Sequence, residues 1–131
     1  GAIQAEVDAL TATGINKIIV ISHLQSITEE LALAPLLRDV DIMIAGGGDE
    51  LLANAGDLVI PGDEDNIYGP YPMTSANGTL VVTTKGNYRY LGRLVVDFDS
   101  DGEVVGFDGS RGDRPVGRGA GWPGQRGCCG Q

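Results

Sequence analysis

The sequence has 131 residues, 42% of them hydrophobic and 21% charged, which predicts one globular domain with a single core. Its 18 acidic and 9 basic residues give a formal net charge of −9, which would repel nucleic-acid phosphates and anionic membranes, so we expect neither as a partner. The sequence also lacks a run of about 18 to 20 apolar residues, the length that a membrane segment requires.

The first half of the chain alternates predicted helices and strands. An amphipathic stripe predicts a helix that ends before Gly14, and the β-branched run 18–21 predicts a strand buried on both faces. Ser26 or Thr28 can cap a second helix, which leads to a second apolar strand at residues 42–45. A helix between two such strands predicts a right-handed parallel crossover, and therefore an α/β fold.

The second half of the chain is predicted to be rich in β-structure. Residues 54–71 contain many Gly, Pro, Asp and Asn residues, which predicts a long loop. Asn77–Gly78 predicts a hairpin turn into a strand at residues 80–84. Partial alternation at residues 90–98 and a turn at Asp101–Gly102 predict two further strands.

The composition changes at residue 109. Eight of the last 23 residues are glycine and four are arginine, which predicts a domain at residues 1–108 and a disordered Gly/Arg-rich tail at residues 109–131. The same composition also fits non-native sequence from a reading-frame error. The cysteines are the adjacent pair Cys128–Cys129, which has no metal-ligand spacing and leaves the redox compartment open.

Polar residues follow both predicted parallel strands. His23, the single histidine of the sequence, follows the first strand, and Gly46–Glu50 follows the second. Because the carboxyl ends of parallel strands meet at one edge of a sheet, we expect these residues to be neighbours. An imidazole there can bind a metal ion or transfer protons, although a structural histidine is the ordinary alternative. Asp49 and Glu50 can add oxygen ligands and Gly47–Gly48 can admit an ion or phosphate, with a plain tight turn as the alternative.

Three segments of the sequence together resemble a known family. They are residues 14–24 with Ser22–His23, residues 40–47 with Gly46–Gly47, and residues 87–99 with Gly92–Arg93–Leu94. Over about residues 3–106 their order and spacing resemble the 5'-nucleotidase and UDP-sugar hydrolase branch of the calcineurin-like metallophosphoesterases. The resemblance implies that residues 1–108 are the C-terminal half of the catalytic domain, part of a four-layer α/β/β/α sandwich with mixed sheets.

The resemblance also implies a metal site. His23 matches a metal-binding histidine of the family, and the family's Gly-Gly-His-x-His motif places its two histidines on Gly47 and Asp49. Asp49 can replace a ligand, whereas Gly47 cannot. The resemblance implies two divalent metal ions, which could be Zn, Mn, Mg or Ca. Glu50, water or substrate would have to replace the ligand that is missing at position 47, and Gly48 is a further candidate contact.

The implied function is metal-dependent hydrolysis of a phosphoric ester such as a nucleotide, in which metal-activated water attacks the ester. The family's earlier ligands and its leaving-group histidine have no counterpart in this sequence, so no residue here is assigned a catalytic role. We expect an inactive fragment that needs the missing N-terminal half of the domain as a partner. Family members are usually exported, which implies a periplasmic, extracellular or cell-surface location.

Two other functions remain open at this point. Gly47 in place of a histidine fits a catalytically inactive binding module that keeps the phosphoesterase fold, and Gly47–Gly48–Asp49–Glu50 also resembles the signature turn of diguanylate cyclases. Several side chains have two interpretations. Tyr68, Tyr71 and Tyr88 could stack on a base or simply pack in the core or a loop. Arg89 and Arg93 could steer a phosphate or occupy solvated strand positions. Asn77 could carry a glycan or belong to a simple hairpin turn.

Overall fold

The computed structural model describes the backbone of residues 1–111 and the side chains of residues 1–109. The expectations for Cys128–Cys129 and for the tail beyond residue 111 lie outside the described residues. Within residues 1–111 the α-helices and strands follow in the order α1 (Ala2–Thr11), β1 (Ile19–His23), α2 (Ile27–Leu33), β2 (Ile42–Gly46), β3 (Leu51–Leu52), β4 (Ile67–Gly69), β5 (Met73–Thr74), β6 (Leu80–Val82), β7 (Gly92–Phe98) and β8 (Val104–Arg111). Short 3-10 helices lie at Ala34–Leu36 and Glu64–Asn66.

The main sheet has four strands in the order β1-β2-β6-β5. Strands β1, β2 and β6 are parallel, whereas β5 runs antiparallel to β6. The helix α2 connects β1 to β2, as predicted, and Ser26 caps it by accepting a hydrogen bond from the amide of Thr28 at 3.3 Å. The predicted mixed α/β class is therefore confirmed.

Two smaller sheets complete the described residues. Strands β3 and β4 form a parallel pair, and β7 and β8 form an antiparallel pair. Strand β8 continues to Arg111, past the predicted start of the tail at residue 109. Apolar side chains of β7 and β8 pack against the core, whose most buried members include Val7, Ile27, Met43, Leu52, Leu80 and Val81.

The prediction that β1 is buried on both faces is wrong. Ile19 is 55% exposed and Ile21 79% exposed, and Ile44, the β2 partner of Ile21, is 40% exposed. The opposite face is covered by α2, whose Glu30 bonds to Ser22. A β-branched run predicts a strand but does not indicate whether one or both of its faces are covered. Among residues 1–111 this strand lies at the edge of the sheet. We call Ile19, Ile21 and Ile44 the open face.

None of the helices in the part of the chain that the structure describes has the length and apolar character needed to cross a bilayer.

Candidate functional site

His23 meets residues 46–50, which we call the glycine turn, at the carboxyl edge of the main sheet, as the topology predicts. His23 ends β1 and is paired in register with Gly46, which ends β2. The imidazole is exposed and lies against Gly47, because a Cβ atom placed on Gly47 would be 3.2 Å from its Nε2 atom. The same Cβ would be 2.2 Å from the Leu24 carbonyl oxygen, and the Gly47 φ is +90°. Position 47 therefore requires glycine for both space and backbone conformation.

The two acidic residues of the turn point to different partners. Asp49 accepts a hydrogen bond from the amide of Gly86 at 3.1 Å. Glu50 accepts one from the Ser26 hydroxyl at 2.7 Å, and its other carboxylate oxygen is buried without a hydrogen-bond partner. Partial burial acts to raise the pKa of Glu50, but the Ser26 hydrogen bond and the nearby backbone amides of residues 27, 49 and 50 outweigh it and hold that pKa below its ordinary value. Asp49 thus links the turn to the segment after β6, and Glu50 links it to α2.

A buried carboxylate supports the backbone around His23. Glu30 is 0% exposed, and its Oε1 atom accepts hydrogen bonds from the Ser22 hydroxyl at 2.7 Å and the Leu24 amide at 3.3 Å. Its Oε2 atom is buried without a partner. These contacts fix the residue on each side of His23. The sequence does not single out this role, because an acidic residue in the first turn of a helix is ordinarily explained by the helix dipole.

The donors of this region do not by themselves form a two-metal cage. The structure shows no group of three or more His, Cys, Asp and Glu side chains that could hold a metal ion within its described residues. The imidazole of His23 is exposed, whereas Asp49 and Glu50 are each engaged elsewhere. Position 47 offers no side chain. The described residues therefore fit a contribution to a metal site and not a complete site.

A cavity of about 560 Å³ opens beside the glycine turn. Gly46–Gly48 forms one wall, residues 82–88 form another, and Ile44 and Tyr71 also line it. Tyr71 is buried, and desolvation raises the pKa of its hydroxyl. Tyr88 also lines the cavity but is fully exposed, and Tyr68 lies outside it on β4.

An ionic cluster around the buried Asp63 holds residues 82–88, the far wall of this cavity, to the loop at residues 54–71. Asp63 accepts hydrogen bonds from the Lys85 ammonium and the Tyr90 hydroxyl, both at 2.7 Å, and Arg89 lies 3.3 Å from the same carboxylate. The Tyr90 hydroxyl in turn accepts the Ile60 amide at 3.0 Å. The hydrogen bonds from Lys85 and Tyr90 lower the pKa of Asp63. No local pattern in the sequence marks this cluster, because its members lie far apart in the chain.

The remaining candidate side chains lie elsewhere. Arg93 on β7 approaches Asp108 on β8 at 3.8 Å, and both side chains are largely exposed. Asn77 donates hydrogen bonds from Nδ2 to the carbonyl oxygens of Ala34 and Leu37, at 3.0 and 2.8 Å. A glycan on that nitrogen would displace at least one of these bonds, so the geometry favours a structural role for Asn77 over a glycosylated one.

No family model matches the sequence. Comparison with individual proteins does find relatives. An apyrase of Anopheles gambiae is 33% identical over 115 residues, which cover 82% of this chain and 20% of the apyrase. A 5'-nucleotidase of Homo sapiens is 31% identical over 113 residues, which cover 83% of this chain and 19% of that protein.

A solved structure shows the same similarity. The crystal structure of a 5'-nucleotidase precursor from Thermus thermophilus is 34% identical, with a TM-score of 0.71, over 83% of this chain and 21% of that one. This chain therefore spans about one fifth of the length of the proteins it matches. The resemblance indicated by the three sequence segments is confirmed: over 82 to 83% of its length the chain is similar to one segment of the 5'-nucleotidases and apyrases, hydrolases of the metallophosphoesterase type.

Proposed function

We propose that the chain is part of the catalytic domain of a phosphoric ester hydrolase of the 5'-nucleotidase type that acts on nucleotides. The observation that carries the proposal is the similarity to the Thermus thermophilus protein, with 34% identity and a TM-score of 0.71. The position of His23 at the carboxyl end of β1, beside the glycine turn, supports it because ligands bind at this edge of open α/β sheets.

The proposal includes a covering layer and a metal site. In it, the N-terminal half of the domain packs on the open face to complete a four-layer sandwich, and the exposed isoleucines support this because large apolar patches ordinarily mark contact surfaces. His23 would serve as one metal ligand, with Asp49 and Glu50 available after local rearrangement. Two divalent ions would need further ligands from outside the described residues, so the chain alone would be inactive. The resemblance also implies a periplasmic or cell-surface location.

The geometry of the glycine turn does not support a diguanylate-cyclase-like function. Strand β3, which follows the turn, pairs with β4 instead of returning alongside β2. The turn is therefore not the tip of a β-hairpin within the described residues. The other alternative, an inactive binding module, differs from an active hydrolase in that it would bind metal without releasing phosphate.

The test compares His23→Ala with wild type in the complete polypeptide that contains these residues. Metal content and phosphate release from AMP are measured for both, with the exposed neighbour Gln25→Ala as the control. We expect His23→Ala to lose both metal and activity, and Gln25→Ala to keep both. A wild-type protein that binds metal without releasing phosphate would instead be a binding module, and one that binds no metal would share only the fold.

A further inference from the structure

Two adjacent glutamates of α2 hold different parts of the segment that precedes the helix. Glu29 is exposed, and its carboxylate accepts a hydrogen bond from the Gln25 amide at 2.9 Å, next to the Ser26 cap. An acidic residue in the first turn ordinarily satisfies amides at a helix start in this way. Glu30 reaches beyond the helix start to the end of β1. Support of the helix start therefore accounts for Glu29 but not for Glu30.

Glu30 holds the residues on both sides of His23 with a single oxygen atom. The Ser22 hydroxyl donates to Glu30 Oε1 at 2.7 Å, and the Leu24 amide donates to the same atom at 3.3 Å. Leu24 in turn lies against Gly47, because a Cβ atom on that glycine would be 2.2 Å from the Leu24 carbonyl oxygen. Glu30 thus fixes the backbone at His23 and also, through Leu24, its position beside the glycine turn.

Core packing alone does not explain a carboxylate at position 30. Glu30 is 0% exposed, and its Oε2 atom is buried without a hydrogen-bond partner among the described residues. A buried acceptor without a partner costs free energy, which an apolar side chain would avoid. The contacts of the other oxygen do explain the carboxylate, because both are made to neighbours of His23. The exposed imidazole is thereby carried on a backbone that is held on each side.

We propose that Glu30 is a positioning residue that holds His23 in the orientation required to bind a metal ion. The inference rests on the proposed function, in which His23 is a metal ligand. Residues that orient a metal-binding histidine raise its metal affinity, because less freedom is lost when the ion binds. Glu30 acts through its length, which lets one oxygen reach both Ser22 and Leu24, and not through its charge.

Two substitutions separate the length of Glu30 from its charge. Glu30→Gln removes the charge but keeps an acceptor oxygen at the same reach, whereas Glu30→Asp keeps the charge and withdraws the oxygen by one methylene. Glu29→Asp makes the same change at the adjacent glutamate and is the matched control.

The dissociation constant for Zn²⁺ is measured with metal-free complete polypeptide, at the site that His23→Ala weakens. We expect Glu30→Asp to bind Zn²⁺ about tenfold more weakly than wild type, the usual effect of losing a residue that orients a ligand. Glu30→Gln and Glu29→Asp should keep the wild-type constant. A loss in Glu30→Gln equal to that in Glu30→Asp would show that the charge matters, and would overturn the proposal.

The imidazole signal of His23 gives a second measurement that requires no metal. It is recorded by NMR on metal-free protein with ¹³C-labelled histidine and is assigned by its absence from His23→Ala. We expect Glu30→Asp to shift or broaden this signal, and Glu30→Gln and Glu29→Asp to leave it unchanged. Urea unfolding of the same proteins identifies a purely structural role. Lower stability of Glu30→Asp with wild-type Zn²⁺ affinity and an unchanged signal would establish that role and overturn the proposal.

Ser22→Ala replaces Glu30→Asp in the comparison if the latter does not fold, because it removes one of the two hydrogen bonds and leaves Glu30 in place. A shifted His23 signal in Ser22→Ala supports the proposal, and an unchanged signal overturns it. Wild-type protein that binds no Zn²⁺ and releases no phosphate from AMP contradicts the proposed function. In that case the His23 signal of the metal-free variants still decides whether Glu30 holds the histidine: a shift in Glu30→Asp but not in Glu29→Asp supports the positioning role, and no shift overturns it.

Discussion

Placing a histidine at position 47 should destabilise the protein and should not add a metal ligand. Gly47 has a φ of +90°, and a Cβ atom there would lie 2.2 Å from the carbonyl oxygen of Leu24. The same Cβ would be 3.2 Å from the ring of His23. A side chain at this position therefore requires the backbone of the turn to move, which alters the edge at which His23 lies.

The magnitude follows from two alanine substitutions. Gly56 also has a φ of +90°, but a Cβ there meets no atom within 4 Å, so Gly56→Ala measures the backbone cost alone. That cost is about 1–2 kcal/mol for an L residue. Gly47→Ala adds the overlap with the Leu24 carbonyl, for which we expect a total loss of about 3–5 kcal/mol. The difference between the two variants gives the contribution of the overlap.

Urea unfolding of Gly47→Ala, Gly47→His and Gly56→Ala in the complete polypeptide checks these values, together with the metal content of each protein. We expect Gly47→His to be at least as destabilised as Gly47→Ala and to bind no more metal than wild type. A histidine variant that is as stable as wild type and binds additional metal would show that the turn adopts another conformation readily, and would refute the reasoning.

Two further substitutions test contacts outside the glycine turn. Because the folded pKa of Asp63 lies below its ordinary value of 3.8, its stabilisation is complete above that pH and is lost as pH falls below it. Asp63→Asn should therefore weaken the acid dependence of the unfolding free energy, unlike the control Asp65→Asn; equal pH profiles would contradict this. Asn77→Ala removes two hydrogen bonds to backbone carbonyls and should cost about 2 kcal/mol in urea unfolding, with Ala76→Gly as the control. A loss no larger than that of the control would count against it.

The elements of the first half could be predicted because their signals are local. The β-branched run, the Ser26 cap and the second apolar run each lie within a few residues, and the structure places a strand, a helix and a strand there. The burial of β1 could not be predicted in the same way. Isoleucine is common in strands whether one face or two are covered, so Ile19 and Ile21 carry no information about the layer above them.

The site was predictable to the extent that it follows from topology. His23 and Gly46 end neighbouring parallel strands, which was sufficient to place them together. The direction of Asp49 depends on Gly86, 37 residues later, and the Asp63 cluster depends on Tyr90, 27 residues later. Pairings over such separations leave no periodic pattern in the sequence. Long-range contacts therefore decided which acidic groups remain available at the site.

Among residues 1–111, β1 is an edge strand of the main sheet and carries no Asp, Glu, Lys or Arg, so its free edge can pair with a further extended segment. Edge strands present unpaired backbone groups that accept another extended segment, and proteins ordinarily protect them with charges or prolines. Ile19 and Ile21 provide neither protection, and their exposed side chains add an apolar contact. An extended segment of a second copy of the chain would therefore be able to pair with this edge, and self-association should increase with protein concentration.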